Sequence, residues 1–113
     1  MASKIKELET LEHLDELFEE SQSKPVFVFK HSISCGISAH IFEQISSIDT
    51  DINVIVVQTA RPVSNALAEK TGFRHHSPQA FVIRNGSAVY QASHYAIDPR
   101  KINEALTLDQ ENG

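Results

Sequence analysis

The chain has 113 residues, enough for one domain and too few for several, and we expect a single domain over residues 1–113. Its 41% hydrophobic and 22% charged residues, with only 4 Gly and 4 Pro, exclude a disordered or fibrous protein. The net charge of -5 without a Lys/Arg cluster argues against nucleic acid, and no apolar run approaches the ~20 residues of a membrane span.

The first half of the chain alternates between helix and strand. Residues 1–9 carry little pattern, and we expect them to be loosely ordered. Thr10 predicts an N-cap for a helix over about 11–21, which has one apolar and one acidic face. The uninterrupted apolar run from Val26 to Phe29 is typical of a strand covered on both faces, here 26–30, and an amphipathic helix over about 36–48 follows it.

The second half supplies three more strands and two helices. In order these are a strand at 53–57, a helix from Arg61 to Gly72, a hairpin of 80–84 and 88–92, a helix opened by Asp98-Pro99, and a loosely ordered tail at 109–113. Asn85-Gly86 predicts the tight turn of the hairpin, and Pro62 suits the first turn of its helix.

This order of elements predicts an α/β, thioredoxin-like fold. We expect a four-stranded mixed sheet flanked by helices, in the spatial order 53–57, 26–30, 80–84, 88–92, with an extra N-terminal helix. Such a sheet places Cys35 after the carboxyl end of a central strand, where open α/β sheets hold their functional sites.

Cys35 is the single cysteine, and it lies where a helix is predicted to begin. The partial positive charge of the unpaired helix N–H groups favours a thiolate there. In a Cys-x-x-Cys loop the second sulfur would stand at Ser38, whose hydroxyl can bond to the Cys35 sulfur but cannot resolve a disulfide. Exchange chemistry at Cys35 would therefore be monothiol, with a second thiol from outside; a buried apolar cysteine is the alternative.

Cationic residues stand close to Cys35 in the sequence or in the predicted sheet. Lys30 and His31 would favour its thiolate by positive charge or contact acidic groups of a ligand, and His75 and His76 are weaker candidates for the same role. We predict no metal site, because a single cysteine without paired Cys-x-x-Cys or His-x3-His spacing is a poor ligand set.

Pro78 stands directly before the strand at 80–84, where thioredoxin-like proteins carry a proline with a cis peptide bond. We therefore predict a cis Ser77–Pro78 bond beside Cys35. It would leave the Ser77 backbone free to pair with a peptide or thiol ligand, whereas a trans proline that opens the strand is the alternative.

Four segments resemble one known family. They are Lys-Pro-Val-Phe-Val-Phe-Lys-His-Ser at 24–32, Cys-Gly-Ile-Ser at 35–38, Ser-Pro-Gln at 77–79 and Ala-Ser-His-Tyr-Ala-Ile at 92–97. Together they resemble the monothiol bacilliredoxins of the YtxJ type, thioredoxin-like proteins of bacteria that use bacillithiol. Gly36 departs from the usual Cys-Pro-Ile-Ser; it weakens the first helical turn and frees the amide after Cys35.

The resemblance implies a cytoplasmic, stress-responsive thiol–disulfide oxidoreductase that removes bacillithiol from client proteins through Cys35. Bacillithiol would be a co-substrate, no cofactor would be tightly bound, and we expect a monomer. Thiolate modulation is predicted for Ser38, Gly36, Lys30 and His31, and ligand contact for Ser32, Ser34, Ser77, Pro78 and His94. Lys30, His31 and His94 would contact the malate and amine of bacillithiol.

Two other functions fit parts of the sequence. Ser34-Cys35-Gly36-Ile37-Ser38 also resembles the Cys-Gly-Phe-Ser loop of monothiol glutaredoxins, which hold iron–sulfur clusters. Residues 93–98 lack the Gly-Gly-x-Asp-like turn with which those proteins bind thiols. The acidic helix at 11–21 instead suggests a non-enzymatic adaptor that docks basic partners.

Overall fold

Strands and helices alternate along the chain, which a computed structural model describes for residues 4–112, with side chains described for residues 4–107. The elements are β1 (Ile5–Glu7), α1 (Leu11–Glu20), β2 (Val26–His31), α2 (Gly36–Ile45), β3 (Ile52–Val56), α3 (Arg61–Thr71), β4 (Gln79–Arg84), β5 (Ser87–Ser93), a short 3-10 turn (His94–Ala96) and α4 (Pro99–Asn112). No helix within these residues is both long and apolar enough to cross a membrane.

The strands form one mixed sheet in the order β1-β3-β2-β4-β5. Strand β3 runs parallel to β1 and β2, and β4 runs antiparallel to β2 and β5. The predicted order of the four apolar strands is confirmed, with β2 in the centre. The carboxyl ends of β2 and β3 therefore lie at the same edge of the sheet as the amino end of β4.

Strand β1 corrects the prediction of four strands and an extra N-terminal helix. Ile5 pairs with Ile52 and Glu7 with Val54, and the Leu8 N–H donates to the Val54 carbonyl at 2.8 Å. All three side chains of β1 are exposed, so this edge strand lacks the apolar alternation by which strands are recognised in sequence. Helix α1 is therefore the connection between two parallel strands and not an addition to the fold.

The sheet separates two apolar layers. Helices α1 and α3 pack on one face, where the buried side chains include Leu14, Leu17, Val28, Val63, Leu67 and Phe81. Helices α2 and α4 cover the other face, with Phe27, Phe29, Ile41, Ile45, Val82 and Ile102. Because β2 is covered on both faces, its consecutive residues enter different layers of the core.

The helix caps and the hairpin turn lie where the sequence predicts them. Thr10 caps α1 by accepting the His13 N–H at 3.1 Å, and Gly72 ends α3 with φ +79°. Asn85 and Gly86 turn the hairpin with φ values of 54° and 76°. Helix α2 ends at Ile45, earlier than predicted. Helix α4 extends to Asn112. Loose order is predicted for residues 109–113, but the side chains of 109–112 and all of Gly113 lie outside the described part of the chain.

Candidate functional site

Cys35 is the N-cap residue of α2 and follows central strand β2 by a short loop. Its side chain is half-buried and makes no capping hydrogen bond, while its backbone N–H donates to the Ser32 carbonyl at 3.4 Å. The predicted position of the cysteine at a helix N-terminus is confirmed. The thiol is thus held beside unpaired helix N–H groups, whose partial positive charge attracts an anion.

The Ser38 hydroxyl is fully engaged one turn into α2. This buried side chain accepts the Ser32 N–H at 3.0 Å, and its Oγ lies 2.8 Å from Nδ1 of His31. Because the Ser38 oxygen already accepts the Ser32 N–H, its own hydrogen is best donated to Nδ1 of His31, which gives every buried polar hydrogen here an acceptor. We therefore assign the His31 ring proton to Nε2. Among the described residues no hydrogen bond reaches Cys35 Sγ, and Ser38 therefore shapes the loop instead of contacting the sulfur.

His31 is an uncharged positioning group in this arrangement. Its ring stacks at 5.9 Å from Phe29 and lies 5.0 Å from Phe42, measured between centroids. Burial lowers the pKa of His31, so the ring is neutral at neutral pH. His31 was predicted to favour the Cys35 thiolate by its positive charge. In the structure it is neutral, and its hydrogen bond orients Ser38 instead.

Lys30 lies on the opposite side of β2 from His31, which corrects its predicted place beside Cys35. The side chain is 0% exposed, and its Nζ stands 6.0 Å above the Phe81 ring, in the α1/α3 layer. The Lys30 ammonium lies 3.2 Å from Nδ1 of His75, and burial lowers its pKa to about 8. A side chain enclosed in this way cannot reach a ligand at the sheet edge, so its predicted contact with bacillithiol is wrong.

Gln58 is a site residue that the sequence analysis missed. It follows β3, and its Oε1 accepts the Ile33 N–H at 3.2 Å, while Nε2 donates to Ser32 Oγ at 2.8 Å and to Ser34 Oγ at 3.1 Å. The two serines therefore hold the loop through Gln58. A polar residue directly after the predicted strand at 53–57 was the available signal, because parallel strands end at the same edge of the sheet. We call Cys35, His31, Ser32, Ser34, Ser38 and Gln58 the thiol cluster.

The 72–78 loop approaches the same edge from α3. Lys30 pairs with Gln79 across β2 and β4, so Pro78, one residue earlier, stands at the level of His31. The Ser77–Pro78 peptide bond is cis, as predicted. The buried Gln79 side chain holds the loop by donating to the Arg74 carbonyl at 3.1 Å and accepting the His76 N–H at 3.2 Å.

His94 joins the loop from the end of β5. Its N–H donates to the Pro78 carbonyl at 3.0 Å, and its ring lies 5.5 Å from that of His76 in an edge-to-face arrangement. The backbone of His94 adopts φ 54°, a left-handed conformation that histidine tolerates better than most residues. His76, Ser77, Pro78 and His94 are therefore neighbours, whereas the sequence offered no reason to pair the two histidines.

Gly36 is the first residue of α2, and a Cβ added there would meet no atom within 4 Å. The glycine is thus not required by packing, and it leaves the approach to Cys35 open. Within the described part of the chain, no group of three or more His, Cys, Asp or Glu residues is arranged to hold a metal ion.

Comparisons with known proteins agree on one family and one fold. A family model described as monothiol bacilliredoxin BrxC matches residues 6–102. A structure described as a candidate oxidoreductase with a thioredoxin fold is 34% identical, covers 89% of this chain and 92% of its own, and superposes with a TM-score of 0.82. Thioredoxins of Fasciola hepatica (17% identity, 91% and 97% covered, TM-score 0.70) and Trypanosoma brucei brucei (9%, 98% and 95%, 0.75) share the fold.

Proposed function

The chain belongs to the monothiol bacilliredoxin family, and we propose that it removes bacillithiol from mixed disulfides on client proteins. The observation that carries the proposal is the place of Cys35. This single cysteine caps α2 at the carboxyl end of the central strand, with a serine at the position where a resolving thiol would stand. A thiol–disulfide oxidoreductase with that arrangement works with one sulfur.

The proposed reaction has two exchange steps. The Cys35 thiolate attacks the bacillithiol sulfur of the mixed disulfide, which forms a Cys35–bacillithiol disulfide and releases the client as a thiolate that takes a proton from water. A second low-molecular-weight thiolate then attacks the bacillithiol sulfur on Cys35. This step restores the Cys35 thiolate and releases a disulfide, so the incoming thiol supplies the reducing electrons.

The thiol cluster supports attack at Cys35 by fixing the loop around it. Gln58 binds both serine hydroxyls and the Ile33 N–H, and Ser38 binds Ser32 and His31. These contacts hold the nucleophile in one geometry before the ligand arrives, which lowers the ordering cost of the transition state. Because the Ser38 hydroxyl is already engaged, it does not compete with the incoming disulfide for the sulfur.

Recognition of the malate of bacillithiol is assigned in this proposal to His76 and His94. These rings adjoin each other beside Pro78, and both offer nitrogen donors to a carboxylate. Ser77 supplies its backbone at the same place. Lys30 has no part in this contact, because its ammonium is enclosed on the other side of β2.

Intact-mass measurement tests the proposal. The protein is exposed in turn to oxidised bacillithiol, oxidised glutathione and oxidised coenzyme A, and then to a second thiol. We expect one bacillithiol on Cys35, its release by the second thiol, and faster removal of bacillithiol than of glutathione from a modified client. Equal rates of removal for the two thiols would contradict the assignment of bacillithiol as the substrate. An adduct that no thiol removes would contradict the second exchange step. Visible absorbance of anaerobic protein would instead favour a cluster carrier.

A further inference from the structure

The 72–78 loop is tied to the interior by a polar cluster on the side of the sheet away from Cys35. Lys30 of β2, Ser64 of α3 and His75 of the loop meet there, and we call them the lysine cluster. The Lys30 Nζ lies 3.2 Å and the Ser64 Oγ 3.1 Å from the same atom, Nδ1 of His75. Lys30 and Ser64 are buried, whereas the His75 ring is exposed.

The donors in this cluster determine the state of the imidazole. An ammonium group has no acceptor, so Lys30 must donate to Nδ1, and Nδ1 must carry a free lone pair. The His75 proton is therefore on Nε2 and the ring is neutral. A second proton would remove the acceptor and place an imidazolium beside the Lys30 ammonium.

The charges around His75 oppose its protonation. Burial, Lys30 of β2, His76 of the same loop and Arg61 of α3 all lower its pKa, in that order. Among the described residues, no carboxylate forms a salt bridge with Lys30 or His75. The neutral ring is thus the form that this environment stabilises, and the buried ammonium has His75 as its polar partner.

We propose that Lys30 and His75 are positioning residues that hold the 72–78 loop against the sheet in the conformation that receives the disulfide ligand, and that protonation of His75 releases this hold. The loop leads directly to Ser77 and Pro78 at the level of His31, so its displacement would move the ligand-pairing backbone relative to Cys35. Gln79 holds Arg74 and His76 by bonds that do not titrate, so the release is partial. This inference rests on the proposed function, since its readout is disulfide exchange.

The experiment separates docking of the ligand from reactivity of the sulfur. The disulfide probe is a peptide thiol joined to 2-nitro-5-thiobenzoate, whose release is coloured, and the small probe is iodoacetamide. Both rates are measured from about pH 7.5 down to about pH 5, because the pKa of His75 lies below the ordinary histidine value of ~6.5. The ratio of exchange to alkylation cancels changes in the thiolate fraction of Cys35.

We expect this ratio to fall roughly fivefold on acidification in the unmodified protein, on the scale of one hydrogen bond. His75→Asn places an amide oxygen where Nδ1 stands and does not titrate, so its ratio should remain high at both ends of the range. His75→Ala and Lys30→Met should have a low ratio throughout. His40→Asn is the matched control, because His40 is an exposed histidine of α2 that lies outside both the lysine cluster and the thiol cluster, and it should keep the pH dependence of the unmodified protein.

The variants also distinguish positioning from a merely structural role. Lys30→Met replaces a buried charge by an apolar chain of similar length, so the folded state should become more stable while exchange becomes slower. The inference would be overturned if Lys30→Met lost both stability and disulfide exchange, or if Lys30→Met and His75→Ala left the ratio of exchange to alkylation unchanged. Either outcome would leave the proposed function intact. Failure of the unmodified protein to exchange with any peptide disulfide would overturn the proposed function, and this inference with it.

Discussion

Lys30 and His31 are adjacent residues of one strand that act in two unlike polar clusters. His31 points toward α2, where Ser38 holds its ring in the thiol cluster. Lys30 points toward α3, where it supports His75 in the lysine cluster. The thiol cluster is neutral around the nucleophile, and the lysine cluster carries a buried charge without a carboxylate partner among the described residues. The thiol cluster is suited to disulfide exchange at Cys35, and the lysine cluster is suited to holding the 72–78 loop against the sheet.

Short separation in sequence therefore does not place two side chains together when they belong to a strand. Successive strand residues point to opposite faces, so one of the two had to leave the surroundings of Cys35. Four predictions test whether the thiol cluster and the lysine cluster differ in this way.

The first substitution removes the sulfur of the thiol cluster. Cys35→Ser should abolish formation of the bacillithiol adduct and all disulfide exchange, because the chain has one cysteine and a serine hydroxyl does not exchange with disulfides. Intact mass after exposure to oxidised bacillithiol measures this directly. Lys30→Met is the matched variant on the other side of β2, and it should still form the adduct. Adduct formation in Cys35→Ser would sink the site assignment.

The second prediction concerns the charge of the lysine cluster. The pKa of Lys30 is about 8 in the folded protein and 10.5 when exposed. Between these values the unfolded chain binds more protons than the folded one, so the free energy of unfolding should rise with pH, by about 3 kcal/mol from this residue. Below pH 8 the lysine is charged in both states, and the destabilisation is fully present.

Lys30→Met should remove that rise and increase the free energy of unfolding at neutral pH by up to about 3 kcal/mol. Urea denaturation at several pH values measures both effects. Exposed Lys24 offers a control, since Lys24→Met should leave the pH dependence as in the unmodified protein. Parallel pH profiles for the unmodified protein and Lys30→Met would contradict the buried charge.

Much of this molecule was predictable from the sequence because its signals are local. Continuous apolar runs predict the three inner strands β3, β2 and β4. Thr10 and Gly72 predict ends of helices, and Asn85-Gly86 predicts the hairpin turn into β5. The place of Cys35 follows from the same signals, since the end of a strand and the start of a helix are both local features.

The remainder depends on partners that are distant along the chain. The exposed side chains of β1 give no apolar pattern, and its pairing with β3 is made by backbone hydrogen bonds that every residue offers. Strand alternation alone separates Lys30 from His31, but a strand buried on both faces does not reveal which residue points toward α2. Gln58 and His75 join their clusters only through tertiary contacts.

The third prediction concerns Ser38, which organises the thiol cluster without reacting. Ser38→Ala would leave the buried Ser32 N–H without its acceptor and should lower the free energy of unfolding by about 1–3 kcal/mol. Monothiol exchange should persist, because the hydroxyl does not contact Cys35 Sγ. Ser38→Cys should instead form an internal disulfide with Cys35, visible as a loss of two hydrogens in intact mass. Loss of exchange in Ser38→Ala as complete as in Cys35→Ser would contradict the monothiol scheme.

The smallest expected effect is that of Gln58, which holds the loop of the thiol cluster from outside. Gln58→Ala removes the amide that binds Ile33, Ser32 and Ser34. Water can solvate the exposed Ile33 and Ser34, and the buried Ser32 hydroxyl keeps its contact with Ser34 Oγ at 3.4 Å. The net loss should be about 1 kcal/mol, or roughly fivefold in the rate of disulfide exchange, since the loop must be ordered again in each transition state. The neighbouring Thr59→Ala is the control, because the Thr59 hydroxyl bonds to the Val56 carbonyl and, among residues 4–107, to no group of the Cys35 loop. We expect Gln58→Ala to exchange more slowly but with the pH dependence of the unmodified protein, whereas His75→Asn should alter the pH dependence. This outcome would place the two effects in separate clusters. If Gln58→Ala changed the pH dependence in the same way as His75→Asn, the two clusters would be one coupled unit and the contrast between them would not hold.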